Sequence, residues 1–134
     1  MIVNKDHPLA SHDEVSFKEL VHEDFLILDS TYMLHDRIIK NCEIAGFYPH
    51  ITTESSQWDF LAEMVAYNQG ISILPVPIME RFYSSERIKM VRLREPEFPW
   101  NIAMIFKKEK LITAQMKDFI HFVVDNKDTV KEYT

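Results

Sequence analysis

Two short clusters of hydroxyl and amide side chains are the residues best suited to hold a small polar molecule: Ser30-Thr31-Tyr32 and Ser55-Ser56-Gln57. Each follows an extended, apolar or β-branched run and precedes a run of helical periodicity, so each belongs to a strand-to-helix turn. A helix N-terminus carries unpaired N–H groups and partial positive charge, which suits a carboxylate. The same side-chain oxygens can instead cap the helix by accepting from those N–H groups. The residue types leave both roles open for Ser30, Thr31, Ser55 and Ser56. Pro75 and Val76 follow a third apolar run and offer either an apolar wall or a plain strand end.

Other chemistry finds little support. Glu54 and Asp59 straddle the second of these turns, with no spacing that makes a general acid–base pair, and read as solvated surface. The chain has six histidines, but none stands at ligand spacing with cysteine or acids, so no metal is expected. His35-Asp36 reads as a plain pair of helix neighbours. Cys42 falls on the apolar face of its helix and reads as core. Only two glycines occur, Gly46 and Gly70, so no glycine-rich phosphate loop exists and no nucleotide cofactor is expected. No catalytic residue is assigned.

The elements that must position these residues centre on 50–75. Residues 51–53 form a short β-branched strand, with Ser55 or Ser56 capping the helix that follows. Trp58, Leu61, Met64 and Val65 line one face of that helix, and Gly70 stops it. Residues 71–74 make a second strand, closed by Pro75. A strand–helix–strand unit of this kind predicts a parallel pair. In open parallel sheets small ligands sit beyond the C-terminal strand ends.

The remaining chain fits around that unit. Residues 1–4 read as a strand, and 5–15 as a polar connection. Ser16 to Glu19 has capping-box spacing, which opens a short helix to about Val21. Residues 24–29 form a buried strand, followed by a helix over 32–45 whose face is Leu34, Ile38, Cys42 and Ala45, with Met33 beside it. A short helix over 77–82, alternating strands over 88–93 and 100–106, a basic run over 107–110 and a Thr113-capped helix to Asp125 complete the order. The last helix carries Met116, Phe119, Ile120 and Val123 on one face. The fold class is therefore α/β, with a mostly parallel sheet flanked by helices.

The 134 residues suffice for a real core, at 46% hydrophobic and 27% charged. A formal charge of −6 argues against this chain gripping a nucleic-acid backbone by itself. One cysteine permits no internal disulfide and fits a reducing compartment. No run is long enough to span a bilayer and the first residues lack a signal-peptide pattern, so the expected location is cytoplasmic and away from membranes.

The order of these signals resembles the effector-binding domain of LysR-type transcriptional regulators. His7-Pro8-Leu9-Ala10, the strand over 24–30, Ala45-Gly46-Phe47 with Pro49, Met64-Val65-Ala66, Gly70-Ile71 and Leu74-Pro75 match the family pattern in sequence. Phe119 fits the aromatic usual in its last helix. Tyr67-Asn68-Gln69-Gly70 departs from it, because the family often has an earlier glycine. The resemblance implies a type-2 periplasmic-binding-protein-like subdomain: 1–108 as the second subdomain, 109–134 as hinge and a helix returning to a first subdomain absent here. The chain then reads as a truncated piece with incompletely covered faces, which predicts a homodimer or higher self-association. The resemblance also implies a small-molecule effector, for instance an organic acid, lined by Ser30, Thr31, Ser55, Ser56, Gln57, Pro75 and Val76. DNA contact would come only through a helix-turn-helix domain outside this chain. The rival reading is a free-standing small-molecule binding protein of periplasmic-binding-protein type.

Overall fold

The computed structural model describes residues 1–82, 86–94, 103–105, 107 and 111–126, without the side chains of 81 and 82. The chain divides into two compact units, Met1–Phe98 and Pro99–Thr134.

In the first unit the strands are β1 (Ile2–Asn4), β2 (Glu14–Ser16), β3 (Asp24–Leu28), β4 (His50–Ser55), β5 (Ile88–Met90) and β6 (Arg92–Arg94). The α-helices are α1 (Met33–Ile44), α2 (Trp58–Ala66) and α3 (Val76–Phe82), with short 3-10 turns at Pro8–Ser11 and Phe17–Leu20. β3 is the central row. It pairs in parallel with β4, with one register shift between Phe25 and Leu26. On its other side Phe25 makes a parallel bridge to Ile71, and Ser72 makes an antiparallel bridge to Ile2 of β1. β1 in turn pairs antiparallel with β5. The rows therefore run β4, β3, 71–72, β1, β5, while β2 and β6 form a separate parallel pair.

Two expectations change here. The segment 71–74 is not a full strand, because its backbone bonds are spent on single bridges to two different neighbours. Nor does it pair with the strand over 51–53, since β3 lies between them. The α2 crossover thus spans one intervening row. The run 88–93 also divides. At Val91 the chain leaves β1, exchanging backbone bonds with Met1, and Arg92 starts on β2 by donating to the Asp13 carbonyl at 3.1 Å. Of the strand expected over 100–106, residues 100–102 and 106 lie outside the described residues, and Ala103 to Ile105 join no described ladder. The basic run 107–110 lies outside them too, apart from an exposed Lys107.

The core forms where helix and sheet faces meet. Phe25, Leu26 and Ile27 of β3 are fully buried, as the absence of alternation in that run requires for a strand covered on both faces. Leu34, Ile38 and Cys42 of α1 are buried, and so are Leu61, Ala62, Val65 and Ala66 of α2. Trp58, Met64 and Ala45 pack partly buried against this cluster. Met33, expected beside the α1 face, is 83% exposed, because it begins the helix before the apolar stripe does. Each large side chain buried here stabilises the fold by roughly 1.5–3 kcal/mol.

The helix ends differ from expectation in an instructive way. At α1, Gly46 takes φ +98°, and the Gly46 and Phe47 N–H groups donate back to Glu43 and Cys42. At α2 the residue that closes the helix is Asn68, at φ +57°, and Gly70 follows two residues later at φ +152°. Asn68 donates to Val65 and Gln69 to Met64, which closes the same motif. Asparagine tolerates the left-handed region better than other side chains, so it replaces the earlier glycine of the family pattern. Gly70 is needed for another reason. Its backbone lies against β3, where an added Cβ would stand 2.5 Å from the Asp24 carbonyl oxygen and 3.1 Å from Leu26 Cγ.

The second unit contributes α4 (Ala114–Asp125), capped as expected by Thr113, whose hydroxyl accepts from the Met116 N–H at 3.3 Å. None of its side chains is buried, and Phe119 and Phe122 are 60% and 64% exposed. Met104, Ile105, Met116, Phe119 and Ile120 line a shallow apolar hollow within this unit.

Two substitutions at the α2 exit should have opposite effects in urea unfolding. Gly70→Ala should lower stability by about 2–4 kcal/mol, through backbone strain and overpacking against β3. Asn68→Gly should raise it by about 0.5 kcal/mol, by removing the cost of a left-handed side chain. Equal midpoints for both variants would contradict this account of the turn.

Candidate functional site

The parallel pairing of β3 and β4 carries both hydroxyl clusters to one edge of the sheet. Leu28, the last residue of β3, pairs with Ser55, the last residue of β4. The ladder extends one step further, with the Asp29 N–H donating to the Ser55 carbonyl at 3.1 Å. The parallel bridge of Phe25 to Ile71 sends the third segment the same way, so Pro75 and Val76 follow toward that edge. Pro75 is buried, and its carbonyl accepts from the Ile78 and Met79 N–H groups to open α3. Val76 is 40% exposed. Among the described residues no hydrogen bond joins Pro75 or Val76 to the other two turns.

Within the first turn the Asp29 carboxylate organises the backbone. It accepts the Thr31 hydroxyl and, at 3.0 Å, the Thr31 N–H. The Thr31 hydroxyl bond first, then its N–H, with the His35 charge helping, hold the Asp29 carboxyl below its usual range. The Asp29 carbonyl accepts from Tyr32, and the Tyr32 carbonyl from His35. In the second turn the Ser55 hydroxyl oxygen accepts from the Gln57 N–H at 3.1 Å. The Tyr32 phenol then ties the turns together by donating to the Ser56 carbonyl at 3.1 Å.

These bonds revise the expected capping roles. The N-cap residues are Tyr32 for α1 and Gln57 for α2, and neither uses its side chain as a cap. Ser30, Thr31, Ser55 and Ser56 all lie one or two residues too early to reach the first-turn N–H groups in the usual way. Thr31 and Ser55 shape their own turns. Ser30, Ser56 and Gln57 are exposed, and their side chains make no hydrogen bond among the described residues. The edge therefore presents two uncapped helix N-termini, three uncommitted polar side chains and the Asp29 carboxylate. That set can bind both a carboxylate and hydroxyl groups.

One residue at this edge had no functional reading in the sequence. The His35 ring, 12% exposed, has Asp36 Oδ1 2.8 Å from Nδ1 and Glu54 Oε1 3.4 Å from Nε2. Glu54 thus faces α1 and does not pair with Asp59, which lies in the first turn of α2. The signal was the place of each residue: His35 in the first turn after one parallel strand, Glu54 at the end of the next. Sequence separation hides that pairing until the ladder is known.

The other titratable groups sit elsewhere. His50 hydrogen-bonds Asp24 at 2.7 Å, at the opposite end of β3 and β4. His7 accepts from the Leu9 N–H through Nδ1 and meets Glu23 at 3.1 Å through Nε2, which anchors the Pro8–Ser11 turn. Cys42 is fully buried in the core, and burial pushes its thiol up to about 12. Among the described residues no group of three or more histidine, cysteine or acidic side chains is arranged to hold a metal ion. Nor is any described helix long and apolar enough to cross a membrane.

Comparison with known proteins gives this geometry a lineage. The chain is 40% identical over 113 residues to the HTH-type transcriptional regulator YwbI of Bacillus subtilis, covering 84% of this chain and 37% of that protein. It is 24% identical over 132 residues to the transcriptional dual regulator GltC of the same organism, covering 98% and 44% respectively. The chain thus spans less than half the length of these relatives. Among solved structures, the effector-binding domain of QuiR in complex with shikimate superposes with a TM-score of 0.79 at 19% identity, over 96% of this chain and 60% of that one. The regulatory domain of Synechocystis CcmR in complex with 2-PG gives 0.75 at 16% identity, over 98% and 62%. Both show the periplasmic-binding-protein-like α/β fold expected from the sequence. The model of the LysR substrate binding domain matches residues 1–128, and this protein belongs to that family.

Proposed function

We propose that this domain senses a small hydroxylated organic acid at the C-terminal edge of its sheet, within a cytoplasmic LysR-type regulator. The observation that carries the reading is the Leu28–Ser55 register, which lays the two polar turns side by side. A carboxylate seated there would meet the uncapped N–H groups of α1 and α2. Hydroxyls on the same ligand would reach Ser30, Thr31, Ser55, Ser56 and Gln57, with Pro75 and Val76 as the apolar wall. Shikimate, named with one solved relative, is a hydroxylated carboxylate, which supports this ligand class.

The mechanism is differential affinity. A ligand that binds one subunit arrangement more tightly shifts the population toward it, and no bond of the ligand need break. Regulators among the relatives support this over a free-standing binding protein. Thiol-based sensing through Cys42 is disfavoured, because a buried thiol held near 12 forms no thiolate at neutral pH. DNA contact would fall to a helix-turn-helix domain beyond this chain. On the same reading, 1–108 is the second subdomain of the effector clamp, and 109–134 the hinge and a helix belonging to the first. The compactness of Met1–Phe98 supports a subdomain over most of 1–108, and the exposed apolar positions of α4 support a separate last helix, although the compact units divide at 98/99.

Ser56→Ala should leave the melting temperature nearly unchanged, since the hydroxyl has no described partner. In calorimetric titration of the full-length regulator, with the organic acid selected by a thermal-shift screen, it should weaken binding about 2- to 10-fold, the worth of one hydrogen bond. Equal affinities would remove Ser56 from the site. The chain by itself should sediment as a dimer or larger species at micromolar concentration, because Leu111, Phe119 and Phe122 expose apolar surface. A single monomeric boundary would contradict the uncovered-face argument.

A further inference from the structure

His35 is the point where α1 is tied to β4 by charge. A carboxylate faces each of its ring nitrogens, Asp36 at 2.8 Å and Glu54 at 3.4 Å. Ionised carboxylates only accept hydrogen bonds, so this arrangement suits the imidazolium, the one form of the ring that donates from both nitrogens. The Asp36 contact stays within the first turn of α1. The Glu54 contact crosses to the strand end, one residue before Ser55. The charged groups facing this ring are Asp36 from α1, Glu54 from β4 and Asp29 from the end of β3.

We propose that the His35 imidazolium positions the Glu54 carboxylate against α1 and sets the charge of the strand-end edge, and that loss of its proton releases Glu54 beside Ser55 and Ser56. A neutral ring keeps one N–H donor. The shorter Asp36 contact retains it, and Glu54 loses its partner. The edge then gains one net negative charge. An anionic ligand would bind less well as pH rises, a consequence that rests on the effector reading above, whereas the His35–Glu54 contact itself does not.

The sign follows from the partners. The Asp36 hydrogen bond, with Glu54 adding to it, holds the His35 imidazolium to higher pH than the ordinary 6.5, against the opposing effect of burial. A folded-state value raised above the unfolded one contributes stability that is present below pH 6.5 and lost as pH rises through the folded value.

An NMR titration of the whole chain tests this without any ligand, with the His35 ring signal assigned by its absence in His35→Gln. The midpoint should lie above 6.5 and fall in both Glu54→Gln and Asp36→Asn. The backbone amides of Glu54 and Ser55 should titrate with that midpoint in the parent and lose the transition in His35→Gln, a response that a merely local histidine would not produce. Both carboxylates are solvent-accessible, so the variants should fold, and their melting curves check it. A midpoint at or below 6.5, one unmoved by Glu54→Gln, or strand-end amides that do not follow it would overturn the proposal. Such a failure would leave the effector reading standing. Normal titration in a full-length regulator that binds no organic acid would sink only the effector reading.

Discussion

Everything in the larger unit depends on covering β3 on both faces and both edges. Phe25, Leu26 and Ile27 are fully buried, so their backbone groups have no access to water and must find partners within the protein. β4 supplies one edge. The other is filled by Ile71, whose N–H donates to the Asp24 carbonyl at 2.8 Å and whose carbonyl accepts from Leu26 at 2.9 Å. That second edge can close only because Gly70 brings the chain within contact of the Asp24 carbonyl, where no side chain fits. A strand buried in this way sets the direction of its neighbours, and the place of the polar turns follows from that direction.

Since β4 and the 71–72 segment both run parallel to β3, three chain segments leave the sheet toward one edge. Ladder pairing ends there, and with it the supply of backbone partners. The local turns respond by using side chains: Asp29 takes the Thr31 N–H, and Ser55 takes that of Gln57. Tyr32 and His35 then bridge from α1 to the β4 end through Ser56 and Glu54. The edge is therefore built of polar groups that shape it, alongside groups that remain uncommitted. This combination differs from a strand end closed by caps alone.

Charge at this edge is mixed. Helix N-termini favour an anion, yet Asp29, Asp36 and Glu54 are acids. Asp29 is occupied by Thr31, and both Asp36 and Glu54 face His35. Each acid thus has a partner at this edge, while the Asp36 and Glu54 side chains stay solvent-exposed. Internal pairing of this kind offsets part of the negative charge beside the helix N-termini. The opposite end of β3 and β4 is simpler, with His50 and Asp24 paired in solvent.

The class of the fold was legible in the residues alone, because the signals for it are local. The unbroken apolar run before Asp29 demands a strand buried on both faces, and Leu34, Ile38 and Cys42 recur at helical spacing. Gly46 marks the place where the first helix turns back, whereas the close approach of Gly70 to β3 was not legible in the sequence. The chain order of these signals also carried the family likeness, and the hydroxyl turns were visible as strand-to-helix junctions. Folding in three dimensions was needed to place β3 between the two arms of the 50–75 unit, to reduce 71–74 to two bridges, and to divide one extended run at Val91 between two partners. It alone brought Glu54 to His35 and the Tyr32 phenol to Ser56. The reason is physical. Periodicity and turn chemistry act within a few residues along the chain, whereas ladder partners and ion pairs join residues 19 to 24 positions apart at this edge. Such contacts exist only after the parallel register has been set.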